Sequence, residues 1–288
     1  MQPSLFTWKA EDGLQLAARI WKARHETAAP LLCLSGLTRN SRDFGAIAEY
    51  LQARGRTVIA MDYRGRGESQ YAQDYKSYSL EQESADIEAG LLELGIDEFS
   101  ILGTSRGGFH AMLLSLKMPE KLKGVILNDI GPVLNPLGLA DIVEYVGTHM
   151  TAASIDEAAH YQKSLHSKYF TSLCDRGWVR FAQQLYSSTD GRGEVTLAYD
   201  RKLGDATRET YDPSLNTEFW PLFAGLKPLK HLLVAGSNSP LLSKDAITAK
   251  QDAHPHMETH IVTDEGHAPL LWDAKTQERV EAFLQKLS

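Results

Sequence analysis

Ser105 stands in the run Gly103-Thr104-Ser105-Arg106-Gly107-Gly108, between the apolar stretch Phe99 to Leu102 and a stripe of Phe109, Met112, Leu113 and Leu116 at helical spacing. A serine on a sharp strand-to-helix turn needs small residues two positions either side, because side chains there would strike neighbouring backbone. Its hydroxyl then projects into a cleft beside the positive end of a helix. A hydroxyl is a poor nucleophile until a base takes its proton, and histidine is the usual base near neutral pH. Of ten histidines, His267 in Asp264-Glu265-Gly266-His267-Ala268-Pro269 follows the last predicted strand, where a loop would carry it to the sheet edge that bears Ser105. The chemistry this pair predicts is acyl transfer through a covalent serine intermediate.

These two residues can meet only if strands and helices alternate in the right order. Leu5 to Ala10 and Leu14 to Trp21 flank Asp12-Gly13, a turn pair that predicts two antiparallel strands. Strand-like runs follow at Leu31 to Leu34, Thr57 to Met61, Phe99 to Leu102 and Gly124 to Leu127. Between them lie helical stripes, one of Phe44, Ile47, Ala48 and Leu51, another opened by Ser79 to Gln82 as a capping box and closed by Gly95. This rhythm predicts an α/β fold with a mostly parallel central sheet and helices on both faces. After Asp129-Ile130-Gly131-Pro132 the alternation stops, and it resumes at His231 to Ala235 and His260 to Val262, before a last helix with Val280, Phe283, Leu284 and Leu287. The expectation is a core of residues 1–131 and 215–288, interrupted after the sixth strand by a helical cap, 132–214, without a clear buried strand. Nine of the chain's 25 aromatic residues fall in that insertion, Tyr145, Phe170, Trp178 and Phe181 among them.

Composition narrows the partners. The chain has 288 residues, a formal net charge of −7 and a sequence pI near 5.8, which offers no broad attraction for nucleic acid or anionic membranes. Cys33 and Cys174 are far apart and outside any C-x-x-C spacing, so neither a disulfide framework nor a zinc knuckle is indicated. His254, His256 and His260 form an H-x-H-x3-H run broken by Pro255, which reads as a surface loop, and no metal or other cofactor is expected. The N-terminus meets Lys9, Glu11 and Asp12 before any signal-like apolar stretch, and no apolar run reaches 18 residues. A cytoplasmic protein with a small-molecule substrate is the expectation, and a homodimer remains open.

As a set, Ser35-Gly36-Leu37-Thr38-Arg39-Asn40, Asp62-Tyr63-Arg64-Gly65-Arg66-Gly67-Glu68-Ser69, the Ser105 turn and Gly266-His267 resemble the α/β-hydrolase superfamily across almost the whole chain. The resemblance is to the bacterial, cap-bearing branch that includes esterases, lactonases and carbon–carbon bond hydrolases. It implies that the backbone amides of Leu37 and Arg106 hold the oxyanion. Most such proteins place the acid in a G-x-x-D context after the strand that follows the cap, but this chain has Gly236-Ser237-Asn238-Ser239-Pro240 there, with no carboxylate. Asp129, at the end of the strand before the cap, is the leading candidate, as in some haloalkane dehalogenases on this fold. Asp245 and Asp264 are the alternatives. Arg39 and Arg106 could offer cationic side chains to an acidic substrate, although pairing with nearby carboxylates is the simpler expectation. Trp178 is a candidate for the substrate pocket among cap aromatics that mostly form the insertion's own core.

The expected activity is that of a carboxylesterase with Ser105 as nucleophile, His267 as base and Asp129 as acid. A serine in place of a carboxylate nucleophile argues against dehalogenase and epoxide hydrolase chemistry. Two readings compete: a lactonase or a carbon–carbon bond hydrolase of diketone-type ring-cleavage products, and a ligand-binding protein on a hydrolase scaffold.

Overall fold

Ser4–Lys9 (β1) and Gln15–Trp21 (β2) pair antiparallel around the turn at Gly13. The computed structural model describes residues 2–148, 151–188, 193–212 and 218–287. In chain order the remaining strands are Leu31–Leu34 (β3), Val58–Asp62 (β4), Phe99–Thr104 (β5), Leu122–Asn128 (β6), Thr151–Ala152 (β7), Tyr186–Ser188 (β8), Val195–Leu197 (β9), His231–Gly236 (β10) and Glu258–Val262 (β11). Eight of them form one sheet in the order β1-β2-β4-β3-β5-β6-β10-β11, parallel from β4 through β11 and antiparallel only where β2 meets β1 and β4. The expected mostly parallel sheet is thus present.

Both faces are covered because successive side chains of a strand point to opposite sides. Leu31 and Cys33 of β3 join Phe44, Ile47, Ala48 and Leu51, largely of Gly45–Gln52 (α1), and Val280, Phe283 and Leu284 of the C-terminal helix, in one apolar cluster. Leu32 and Leu34 join Ile87 and Leu91 of Leu80–Glu93 (α2) and Met112 and Leu114 of Arg106–Lys117 (α3) in the other. The α2 start is the expected one: Ser79 accepts a hydrogen bond from the Gln82 amide at 3.2 Å.

Between β6 and β10 the chain forms Pro136–Tyr145 (α4), Ile155–His166 (α5), Asp175–Leu185 (α6), Leu203–Thr210 (α7) and the short Trp220–Phe223 (α8). Lys244–Ala253 (α9) and Ala274–Gln285 (α10) complete the chain. No clear buried strand was expected in this stretch, and the strands it does hold, β7, β9 and β8, are short and only partly buried, making a small antiparallel sheet. Strands of two or three residues leave too little alternation to register as a pattern in sequence. The stretch has its own apolar cluster, with Phe170, Trp178, Phe181 and Leu185 packed against Ala72, Tyr78 and Leu270 from the main sheet's loops. Phe223 and Leu226, by contrast, join the core beneath the main sheet. The boundary placed at 214/215 lies outside the described residues. Among the described residues, no helix is long and apolar enough to cross a membrane.

Candidate active site

The turn after β5 brings Ser105 to the carboxyl edge of the sheet with φ 51° and ψ −113°, a conformation that costs energy for a residue with a side chain. Two backbone hydrogen bonds hold it there. The Ser105 amide donates to the Asn128 carbonyl at 3.0 Å, and the Gly107 amide donates to the Ser35 carbonyl at 3.0 Å. A Cβ at Gly107 would lie 2.1 Å from the Leu34 carbonyl oxygen, and one at Gly103 would lie 2.3 Å from that of Gly107. Both glycines are therefore required by backbone contact, the physical reason behind the spacing read in the sequence.

His267 reaches the same edge on the loop after β11. Its Nε2 lies 2.8 Å from Ser105 Oγ and its Nδ1 lies 2.8 Å from Asp129 Oδ2. An ionised carboxylate only accepts, so Nδ1 carries the proton and Nε2 is left to accept from the serine hydroxyl. Asp129 follows β6 with φ 57° and a fully buried side chain. Its Oδ1 accepts from the Gly236 amide at 3.0 Å, and its Oδ2 also accepts from the Ser239 hydroxyl at 2.5 Å. Of the three candidate acids, Asp129 alone contacts His267. Asp245 sits exposed in the first turn of α9, and exposed Asp264 accepts from the Thr171 hydroxyl at 3.0 Å.

Sequence reasoning missed the donors to Asp129. Ser239 occupies the fourth position of Gly236-Ser237-Asn238-Ser239, the G-x-x-D position, so its register after β10 was the available signal. Asn128 was missed too: its Nδ2 donates to Thr104 Oγ1 at 3.1 Å and to the Pro269 carbonyl at 3.0 Å, tying the serine turn to the histidine loop.

The loop after β3 closes over the serine. A Cβ built at Gly36 would lie 3.8 Å from Ser105 Cβ, and Leu37 lines the cavity in front of it. Neither the Leu37 nor the Arg106 amide meets a protein acceptor among the described residues, so both N–H groups are free to bind an oxyanion. The Arg106 side chain turns away, with Nε 2.6 Å from Glu83 Oε2.

The cavity, about 120 Å³ in volume, is bounded by Ser105, His267 and the loop after β3 below, and by Tyr145, His166 and Phe181 of the segment between β6 and β10 above. Burial, with help from Arg39, Lys168 and His267, brings His166 down to about 4, so its ring is neutral at ordinary pH. Arg39 lines the cavity, but its Nε and Nη2 both donate to Asp43 at 2.7 Å and its guanidinium lies 4.6 Å from the Phe181 ring centroid. The simpler expectation for both arginines, pairing with carboxylates, describes their side chains. Trp178 is corrected: only 2% exposed, it packs among Phe170 and Phe181 and does not line the cavity. An indole on α6 faces inward because that helix's apolar stripe is what the segment has to bury.

The H-x-H-x3-H run forms no cluster. His254 Nδ1 lies 3.1 Å from His231 Nε2, whereas His260 lies beside Thr276 Oγ1 at 3.0 Å. No group of metal-ligating side chains occurs among the described residues.

A model of the α/β-hydrolase fold family matches residues 29–274. The 3-hydroxybutyrate-oligomer hydrolase of Cupriavidus necator is 27% identical over 262 residues, spanning 87% of this chain and 88% of that protein. The crystal structure of an α/β hydrolase from Novosphingobium aromaticivorans superposes with a TM-score of 0.91 at 31% identity, covering 99% of both chains. An esterase from Exiguobacterium antarcticum, 16% identical, shares the fold with a TM-score of 0.71 over 97% of this chain and 98% of its own.

Proposed function

The chain belongs to the α/β-hydrolase fold family and is a hydrolase, and from that premise we propose that it cleaves carboxylic esters through an acyl-enzyme on Ser105. The observation that carries the reading is the unbroken run from Ser105 Oγ through His267 to buried Asp129, 2.8 Å at each step, opening onto a cavity. As Ser105 Oγ attacks the ester carbonyl, its proton passes to His267 Nε2, and Asp129 stabilises the imidazolium through Nδ1. The Leu37 and Arg106 amides receive the oxyanion. The imidazolium then protonates the departing alcohol. A water that gives its proton to His267 attacks the acyl carbonyl, and the acid leaves as Ser105 recovers its proton.

The segment between β6 and β10 acts in this reading as a cap that sets acyl size. Arg39 is already neutralised by Asp43, which favours an ester over the anionic substrates of the carbon–carbon bond hydrolases. The name of the Cupriavidus relative makes short 3-hydroxybutyrate oligoesters, beside simple aryl and alkyl esters, the first substrates to assay. Turnover of any of these above a Ser105→Ala control supports the reading. No turnover on the whole panel refutes it and leaves the ligand-binding alternative. A strong preference for anionic diketones, lost in Arg39→Ala, moves the assignment to carbon–carbon bond hydrolysis.

A further inference from the structure

Both candidate oxyanion donors are attached to one buried ion-pair network that the proton relay does not use. Arg66, fully buried on the turn after β4, donates from Nε to the Leu37 carbonyl at 3.0 Å. Its Nη1 donates to the Arg64 carbonyl at 2.6 Å and lies 2.8 Å from Glu83 Oε1, a charge contact rather than an aligned hydrogen bond. Glu83, on α2 and also fully buried, accepts from Arg106 Nε at 2.6 Å on its other oxygen. That oxygen also lies 3.2 Å from His110 Nε2, whose ring is braced at Nδ1 by Ser84 Oγ at 2.8 Å. Burial alone would raise the Glu83 carboxyl, but Arg106, Arg66 and His110 hold it well below the usual carboxylate range. Burial lowers His110 from its ordinary value, against the opposing pull of Glu83.

The chain of contacts thus runs Leu37 carbonyl, Arg66, Glu83, Arg106. Its ends are the two residues whose amides would bind the oxyanion, and they come from loops separated by 69 positions in sequence. A peptide unit is planar, but the Leu37 carbonyl and the Leu37 amide belong to different units. Fixing the carbonyl therefore restrains Leu37 from its far side while Arg39, with its amide bonded to the Gly36 carbonyl at 3.1 Å, closes the turn. Isolated loops would hold two such amides at a fluctuating separation, and oxyanion stabilisation depends on their being set before charge develops. We propose that Arg66 and Glu83 are positioning residues that set the spacing of the Leu37 and Arg106 amides, and so act on the transition state rather than on substrate binding. This rests on the ester-hydrolase reading of the site.

The test compares the full chain with Arg66→Lys, which cannot span both the Leu37 carbonyl and Glu83, and Glu83→Gln, which keeps shape but removes charge. Rates are normalised to serine titrated with a fluorophosphonate, so misfolded protein does not count. The expected result is a kcat lower by about 10²-fold in Arg66→Lys and by about 10-fold in Glu83→Gln, with KM changed by less than about 3-fold. Inhibition by a trifluoromethyl ketone, which forms an oxyanion on Ser105, weakens in parallel, whereas inhibition by the carboxylate product does not move. If the buried variants do not fold, Arg106→Met supplies the test, because its side chain is at the network's partly exposed end (16%). It should lower kcat about 10-fold and weaken the ketone equally. Unchanged kcat and ketone affinity, or equal losses of ketone and product affinity, overturn the proposal. An inactive wild-type chain refutes the ester reading itself, whereas an active wild type with unaffected variants refutes only the network.

Discussion

Ser239 Oγ donates to the same Asp129 oxygen, Oδ2, that faces His267 Nδ1. Asp129, the proposed acid, and Ser239, at the G-x-x-D position, are thus in direct contact, on the loops that follow adjacent strands β6 and β10.

That contact predicts a transferable acid. Asp129→Asn should lower kcat by about 10⁴-fold, since an amide holds the imidazole in the wrong tautomer. Adding Ser239→Asp should recover about 10-fold or more of the loss, because the Ser239 side chain already meets the same atom of residue 129 as His267 Nδ1, so a longer carboxylate there starts beside the imidazole. Asp245→Asn and Asp264→Asn should retain wild-type kcat. Steady-state kinetics of the four variants check this, and full activity in Asp129→Asn would refute the assignment.

Gly107→Ala tests the serine turn. Its methyl would meet Leu34 backbone at 2.1 Å, where no side-chain rotation can relieve the overlap. The expected cost is about 2–4 kcal/mol in chemical denaturation, together with loss of fluorophosphonate labelling at Ser105.

Lys250 predicts an unusual pH slope. It is fully buried on α9 with Nζ 3.2 Å from the Ile130 carbonyl, and burial, partly opposed by Asp129, brings it down to about 7 from its ordinary 10.5. Between these values the unfolded chain binds the extra proton, so stability rises with pH there, by up to about 1.4 kcal/mol per unit. Lys250→Met should lose that slope and gain most relative to wild type near pH 6. Urea denaturation from pH 6 to 10 checks it.

Glu265 predicts the opposite window. Its carboxylate accepts from the Leu270 amide at 2.7 Å across the loop that carries His267, and burial pushes it up to about 7. Here the folded chain holds the proton while the unfolded one releases it, so this group's contribution falls as pH rises from about 4.5 to about 7. Glu265→Gln keeps an acceptor for Leu270 without the charge. Its Tm relative to wild type should therefore increase from pH 5 to pH 8, and a constant difference would refute the account.

What the sequence determined by itself was everything enforced over short distances along the chain. The Ser105 turn was legible because Gly103 and Gly107 are demanded by backbone within a few residues of it and by the adjacent strand, leaving a fixed spacing. The strands were legible because a sheet covered on both faces calls for continuous apolar runs, and β3 came out at its expected bounds. His267 was legible as a loop residue after the last strand. Tertiary structure decided what depends on the approach of distant segments. Three aspartates fitted the chain order, and only the packing of β6 beside β10 brings Asp129 to His267 and supplies the buried donors from Gly236 and Ser239. The pairing of Arg39 with Asp43 required the chain to fold back through extended Asn40 into the 3-10 helix Ser41–Phe44, and the inward face of Trp178 required knowing which side of α6 the segment buries. The Arg66–Glu83 link between two loops was likewise invisible, because a charge pair leaves no periodic trace in sequence: its partners are chosen by where the folded backbone puts them.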